Sequence, residues 1–158
     1  MLTKSISKIC LVIVLLLANI SFAQKDISSM LTELVGDYST SKDGAYVFTL
    51  TESGNTIKYI MKQFDYSSSG KGMYCWYLVT PIYVFAKNFR ASEELLQKIS
   101  ALNTDVSPGT LTLIGANLVY MSYFWDEELS SKVLSYEIVA GFINTVSLKK
   151  EIDDFMSK

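Results

Sequence analysis

Between Thr110 and Trp125 the chain reads TLTLIGANLVYMSYFW. This stretch constrains the fold more than any other. Leu111 and Leu113 alternate with Thr110 and Thr112. Gly115-Ala116-Asn117 interrupts, and Leu118, Tyr120, Ser122 and Phe124 then alternate with Val119, Met121, Tyr123 and Trp125. A period of two is that of a strand, and the turn residues break any apolar run of the roughly 20 residues a membrane helix needs. The segment therefore predicts a β-hairpin. Both sides of its second strand are apolar, so one face packs on helices and the other is either covered or offered to something.

The same logic places the other strands. Tyr46, Phe48 and Leu50 alternate with Val47, Thr49 and Thr51, and Glu52-Ser53-Gly54-Asn55 forms a turn. Ile57, Tyr59 and Met61 then face one way while Lys58 and Lys62 face the other, predicting a solvated lysine side. Asp65–Gly72 is a Ser/Gly loop, expected to be mobile. Met73–Phe85 (MYCWYLVTPIYVF) is apolar on both faces and predicts a central strand. Pro81 cannot donate to a ladder and marks a bulge, an edge or a break.

Helices bracket these strands. Asp26 suits an N-cap for a helix whose apolar face is Ile27, Met30, Leu31, Leu34, Val35 and Tyr38, with Gly36 at or near its end. Ser92 caps a second helix, with Glu93 and Glu94 at its positive end and a buried stripe of Leu95, Leu96, Ile99 and Leu102. Asn103 ends it. Ser130 or Ser131 caps a long last helix with a broad apolar side, where Gly141 permits either close approach of another backbone or a kink. The order is α-β-β-β-α-β-β-α, an α+β fold with an antiparallel sheet of about five strands flanked by helices.

The first residues read as an address. Lys4 and Lys8 precede the apolar run Ile9–Ala18, and Ser21-Phe22-Ala23 gives way to Gln24-Lys25-Asp26. This is the pattern of a signal peptide over 1–23, cleaved after Ala23, followed by one domain over 24–158. Export to a periplasm or the exterior is the expectation, with no stable membrane span after cleavage. An uncleaved N-terminal anchor is the alternative.

Charge and composition exclude several functions. The formal net charge is −2, and cleavage removes Lys4 and Lys8 but no acid. Arg90 is the only arginine. Nucleic-acid binding, which needs clustered cations, is not expected. The chain has no histidine, which removes the most common general base and His-dependent nucleophiles and metal sites. Cys75 is the only cysteine after Cys10. It predicts a buried small hydrophobe and no intrachain disulfide, and it cannot form a Cys-only metal site.

Ser69-Gly70-Lys71-Gly72 lacks the spacing of a phosphate loop. Asp126-Glu127-Glu128 and Glu151, Asp153 and Asp154 lack the spacing of a calcium loop and read as a helix-start cluster and a solvated helix end. We expect no catalytic residue, no metal and no cofactor.

The second half carries a resemblance. A helix ends in Leu102-Asn103, Pro108-Gly109 follows, and a hairpin turns at Gly115-Ala116-Asn117 into an aromatic strand. The acidic link Asp126-Glu127-Glu128 then leads to a long final helix. This pattern resembles the YbjN-domain family, whose fold is similar to that of type III secretion chaperones, over about residues 30–156. The resemblance implies a chaperone-like or regulatory binding role, a possible homodimer, and a protein or peptide held on apolar surface.

The aromatic residues are the candidates for such a surface. Tyr74, Trp76, Tyr123 and Trp125 are the expected partner-binding residues, with core filling as the competing role. Alternation turns Tyr120 away from Tyr123 and Trp125. A carrier of a small apolar ligand, held between the sheet and the long helix, is the second functional expectation.

Overall fold

A computed structural model describes residues 26–65 and 74–157. The expected signal peptide over 1–23 and almost all of the loop expected over 65–72 lie outside the described residues. Among the described residues, three α-helices and six strands form an α+β fold. The helices are α1 (Ile27–Val35), α2 (Glu93–Leu102) and α3 (Ser131–Met156). The strands are β1 (Tyr38–Thr40), β2 (Tyr46–Glu52), β3 (Asn55–Asp65), β4 (Tyr74–Val84), β5 (Thr110–Ile114) and β6 (Asn117–Trp125). They form one sheet in the order β1-β2-β3-β4-β6-β5, and every neighbouring pair is antiparallel.

Local chemistry sets the ends of these elements. Asp26 Oδ1 accepts from the backbone N–H of Ser28 and Ser29 at 3.1 and 3.2 Å and starts α1. Gly36, at φ 75°, ends it. Ser92 and Ser130 cap α2 and α3 through Leu95 N–H and Val133 N–H. The β2–β3 hairpin turns through Ser53 and Gly54, both at positive φ, as a two-residue loop with the right-handed strand twist requires.

The sequence predicts about five strands, and the structure has six. The additional strand, β1, is only three residues long. Its Tyr38 follows the spacing of the α1 stripe, but α1 has already stopped, and Tyr38 pairs with Phe48 of β2 instead.

The central position of β4 follows its two-sided apolar pattern. It lies between β3 and β6, and the ladder to β6 shifts register between Pro81 and Tyr83. Pro81 thus sits at a bulge. The β3 ladder has already ended at Ile60–Val79, so the missing proline N–H interrupts no bond on that side.

All three helices lie on one side of the sheet, over two apolar clusters. In the first, Ile27 and Leu31 of α1 and Leu134 and Ile138 of α3 meet Phe48, Tyr59, Leu78 and Phe124. In the second, Leu95 and Ile99 of α2 and Leu148 and Ile152 of α3 meet Ile82, Leu111 and Leu118. Helix α3 spans both. Gly141 lies between its two apolar stretches and allows close approach: a Cβ there would sit 3.4 Å from ring carbons of both Tyr59 and Tyr120. The Tyr59 hydroxyl donates to the Ile138 carbonyl at 2.9 Å and fixes the helix over β3.

Candidate functional site: the outer face of the sheet

The strand register gives the face opposite the helices its composition. Lys62, Tyr77 and Tyr123 form one cross-strand row, and Phe64, Cys75 and Trp125 form the next. Ile60, Val79, Met121 and Thr110 form a third. Side chains opposite one another on one face of a sheet lie close enough to interact. Phe64 meets Tyr77 edge-on at 4.9 Å between centroids, and Tyr77 lies 6.3 Å from Tyr123. Tyr123 is 60 % exposed, Phe64 47 % and Trp125 37 %. The result is an aromatic patch on β3, β4 and β6, with half-buried Ile60, Val79 and Met121 continuing it along the sheet.

Cys75 is covered within this face. It is 2 % exposed, and its thiol donates to the Phe124 carbonyl at 3.5 Å. Burial raises the thiol pKa, opposing thiolate formation. The cysteine therefore acts as a small apolar filler beneath the rings.

One edge of the patch is charged. Lys62 Nζ stands 5.8 Å from the Phe64 ring centroid and 2.6 Å from Asp43 Oδ2. Asp43 also accepts from Ser41 Oγ at 2.5 Å. The Lys62 bond, followed by the Ser41 bond, lowers the Asp43 pKa to about 2. The lysine side expected to be solvated thus also carries Ile60 and Phe64.

The four candidate residues do not share one surface. Tyr123 and Trp125 lie on the outer face. Trp76 points to the helix side, is 7 % exposed, and donates its Nε1–H to Asp126 Oδ1 at 2.7 Å. Tyr74, 42 % exposed, has the same strand parity as Trp76 and sits at the start of β4. Phe64 and Tyr77 complete the patch and are not among the four residues that the sequence singles out. The signal was present, since Phe64 continues the Ile60–Lys62 alternation and Tyr77 continues that of Cys75.

The acidic link has structural partners. Asp126 also accepts from Gln63 Nε2 at 3.2 Å, and Glu128 Oε2 accepts from the Trp125 backbone N–H at 3.2 Å. These bonds tie the end of the aromatic strand to the helix side. Among the described residues no group of three or more His, Cys, Asp or Glu stands together to hold a metal ion. Among them, too, no helix is long and apolar enough to cross a membrane.

In comparisons with known proteins, no family model matches the chain and no curated protein matches it.

Proposed function

We propose that the chain is an exported, non-enzymatic binding module, chaperone-like or regulatory, that holds a protein or peptide partner on the outer face of its sheet. The observation that carries this reading is the Phe64–Tyr77–Tyr123–Trp125 patch, built on central strands and partly open to solvent. Aromatic side chains supply large contact area at low entropic cost and dominate interface energetics. The resemblance to the YbjN-domain family and its chaperone-like fold points the same way, and so does the absence of histidine. The signal-peptide pattern over 1–23 supports export. A homodimer is part of the proposal and rests on the resemblance.

Native mass spectrometry of the protein purified from its own host tests the reading. A protein or peptide that co-purifies with the wild type, and is lost from a folded Phe64→Ala/Tyr123→Ala variant, supports it. Retention of the same partner by that variant removes the outer face from the argument. A monomer carrying a small apolar molecule would favour the carrier reading. Against a carrier stands the close packing of Gly141 on Tyr59 and Tyr120, which fills the middle of the helix–sheet interface.

A further inference from the structure

A polar seam crosses the core where the two apolar clusters meet. On β4, Thr80 separates Leu78 of the first cluster from Ile82 of the second. On β6, Ser122 separates Phe124 of the first from Tyr120 of the second. Helix α3 lays Glu137 and Thr145, one turn to either side of Gly141, over these strands. All four polar residues are buried: Thr80 is 0 % exposed, Ser122 and Thr145 1 %, and Glu137 7 %. Thr80 Oγ1, Ser122 Oγ, Thr145 Oγ1 and Glu137 Oε2 have no hydrogen-bond partner.

Glu137 is the acid of this group. Each packed element offers it little compensation. Tyr120 is the buried ionisable residue on the helix side of β6 and Tyr59 that on the helix side of β3, and both are neutral donors below alkaline pH. On β4 the nearby helix-side residues are Leu78 and Thr80, which do not ionise. Helix α1 contributes Glu33, which is exposed, and the Asp126–Glu128 turn adds only acids. On α3 itself Tyr136 and Lys132 face solvent. A charged carboxylate buried without a cation is strongly disfavoured, whereas the neutral acid is tolerated.

We propose that the Glu137 carboxyl is an ionisable lock on the seam between α3 and strands β4 and β6, closed when neutral and loosened when it ionises. Burial raises the Glu137 pKa and outweighs the opposing effect of the neighbouring Ser122 hydroxyl, which is close but outside hydrogen-bonding geometry. The folded state then binds a proton that the unfolded chain has already released. Stability falls as pH rises above the ordinary carboxylate range, and continues to fall until the folded carboxyl ionises. Release of α3 would uncover both apolar clusters, since the helix contributes to each. This lock is independent of the outer aromatic face.

Amide hydrogen exchange on the purified protein, corrected for intrinsic rates, tests the lock between about pH 5 and pH 9. In the wild type, opening of α3 and β6 should rise by up to about tenfold per pH unit, the signature of one linked proton. In Glu137→Gln, which keeps the shape and removes the charge, the same amides should show no such slope. Equal slopes in the two proteins would overturn the proposal. Should the variant fail to fold, the carboxyl carbon of Glu137 in isotope-labelled wild type decides instead. A titration midpoint above the ordinary glutamate range in the folded protein is the expected result, and a midpoint within or below that range overturns the lock.

Discussion

The side chain of Asn103 pairs with the backbone of Leu111 as a neighbouring strand would. Its Oδ1 accepts from the Leu111 N–H at 2.6 Å, and its Nδ2 donates to the Leu111 carbonyl at 2.8 Å. Leu111 lies on β5, one of the two edge strands of the sheet. Edge strands present open donors and acceptors that recruit other chains, and covering them is a common protection. The residue that ends α2 also closes this edge. Asn103→Ala should lower stability by about 2 kcal/mol, two hydrogen bonds at roughly 1 kcal/mol each. It should also raise concentration-dependent association, read by light scattering. Unchanged stability and association would reduce Asn103 to a helix terminator.

Two of the candidate aromatic residues, Trp76 and Tyr123, should behave differently. Trp76 is buried and hydrogen-bonded to Asp126, so Trp76→Ala should cost about 3–5 kcal/mol in urea unfolding. Tyr123 is 60 % exposed, and Tyr123→Ala should cost no more than about 1 kcal/mol. A large loss at Tyr123 would mean that the outer face is part of the core.

Two glycines have different tolerances for a side chain. At Gly141 a Cβ meets ring carbons at 3.4 Å, a contact small shifts relieve. Alanine also favours the helix by roughly 1 kcal/mol, so Gly141→Ala should be near neutral, while Gly141→Leu should cost about 1–3 kcal/mol. Gly109 has φ +96°, and a Cβ there would lie 2.7 Å from the Met121 carbonyl oxygen. Gly109→Ala should therefore cost more than about 1 kcal/mol. Thermal unfolding of the three variants tests this order.

The Asp43–Lys62 pair sets an acid-side response opposite in sign to that of Glu137. Asp43 has its pKa lowered to about 2 by Lys62 and Ser41. Its contribution is complete above the ordinary aspartate range and is lost as pH falls through that range toward about 2. Carboxyl NMR titration should give a midpoint near that value, rising toward the ordinary aspartate value in Lys62→Met. Both groups are partly or largely exposed, so added salt should weaken the effect.

Period and punctuation made much of this architecture legible in the sequence. The 110–125 hairpin, the caps Asp26 and Ser92, and the place of Tyr74–Val84 in mid-sheet follow from residues a few positions apart. The same local rules missed β1, where Tyr38 fits a helix stripe as well as a strand and only pairing with Phe48 decides. The site was harder to read. Alternation separates Cys75 and Tyr77 from Trp76, but a strand apolar on both sides does not reveal which side the helices cover. That depends on α1 and α3 docking from distant parts of the chain. Trp76 and Tyr123 consequently appear equivalent in the sequence and face opposite ways in the fold. The seam was equally hidden: Val133, Leu134, Ala140 and Gly141 stand three and four residues from Glu137, but only the docking of α3 against β6 shows that the carboxyl is buried there.

Helix α3 supplies Leu134 and Ile138 to one cluster and Leu148 and Ile152 to the other, with Gly141 between them. The two halves of the domain are therefore coupled mechanically through a single rod as well as through the sheet. A cut near Gly141 would leave the Ile27–Phe48 half with its own helical cover and strip α3 from the Leu95–Leu118 half. Whether unfolding is all-or-none or proceeds in two steps thus depends on the continuity of this one helix together with the shared sheet.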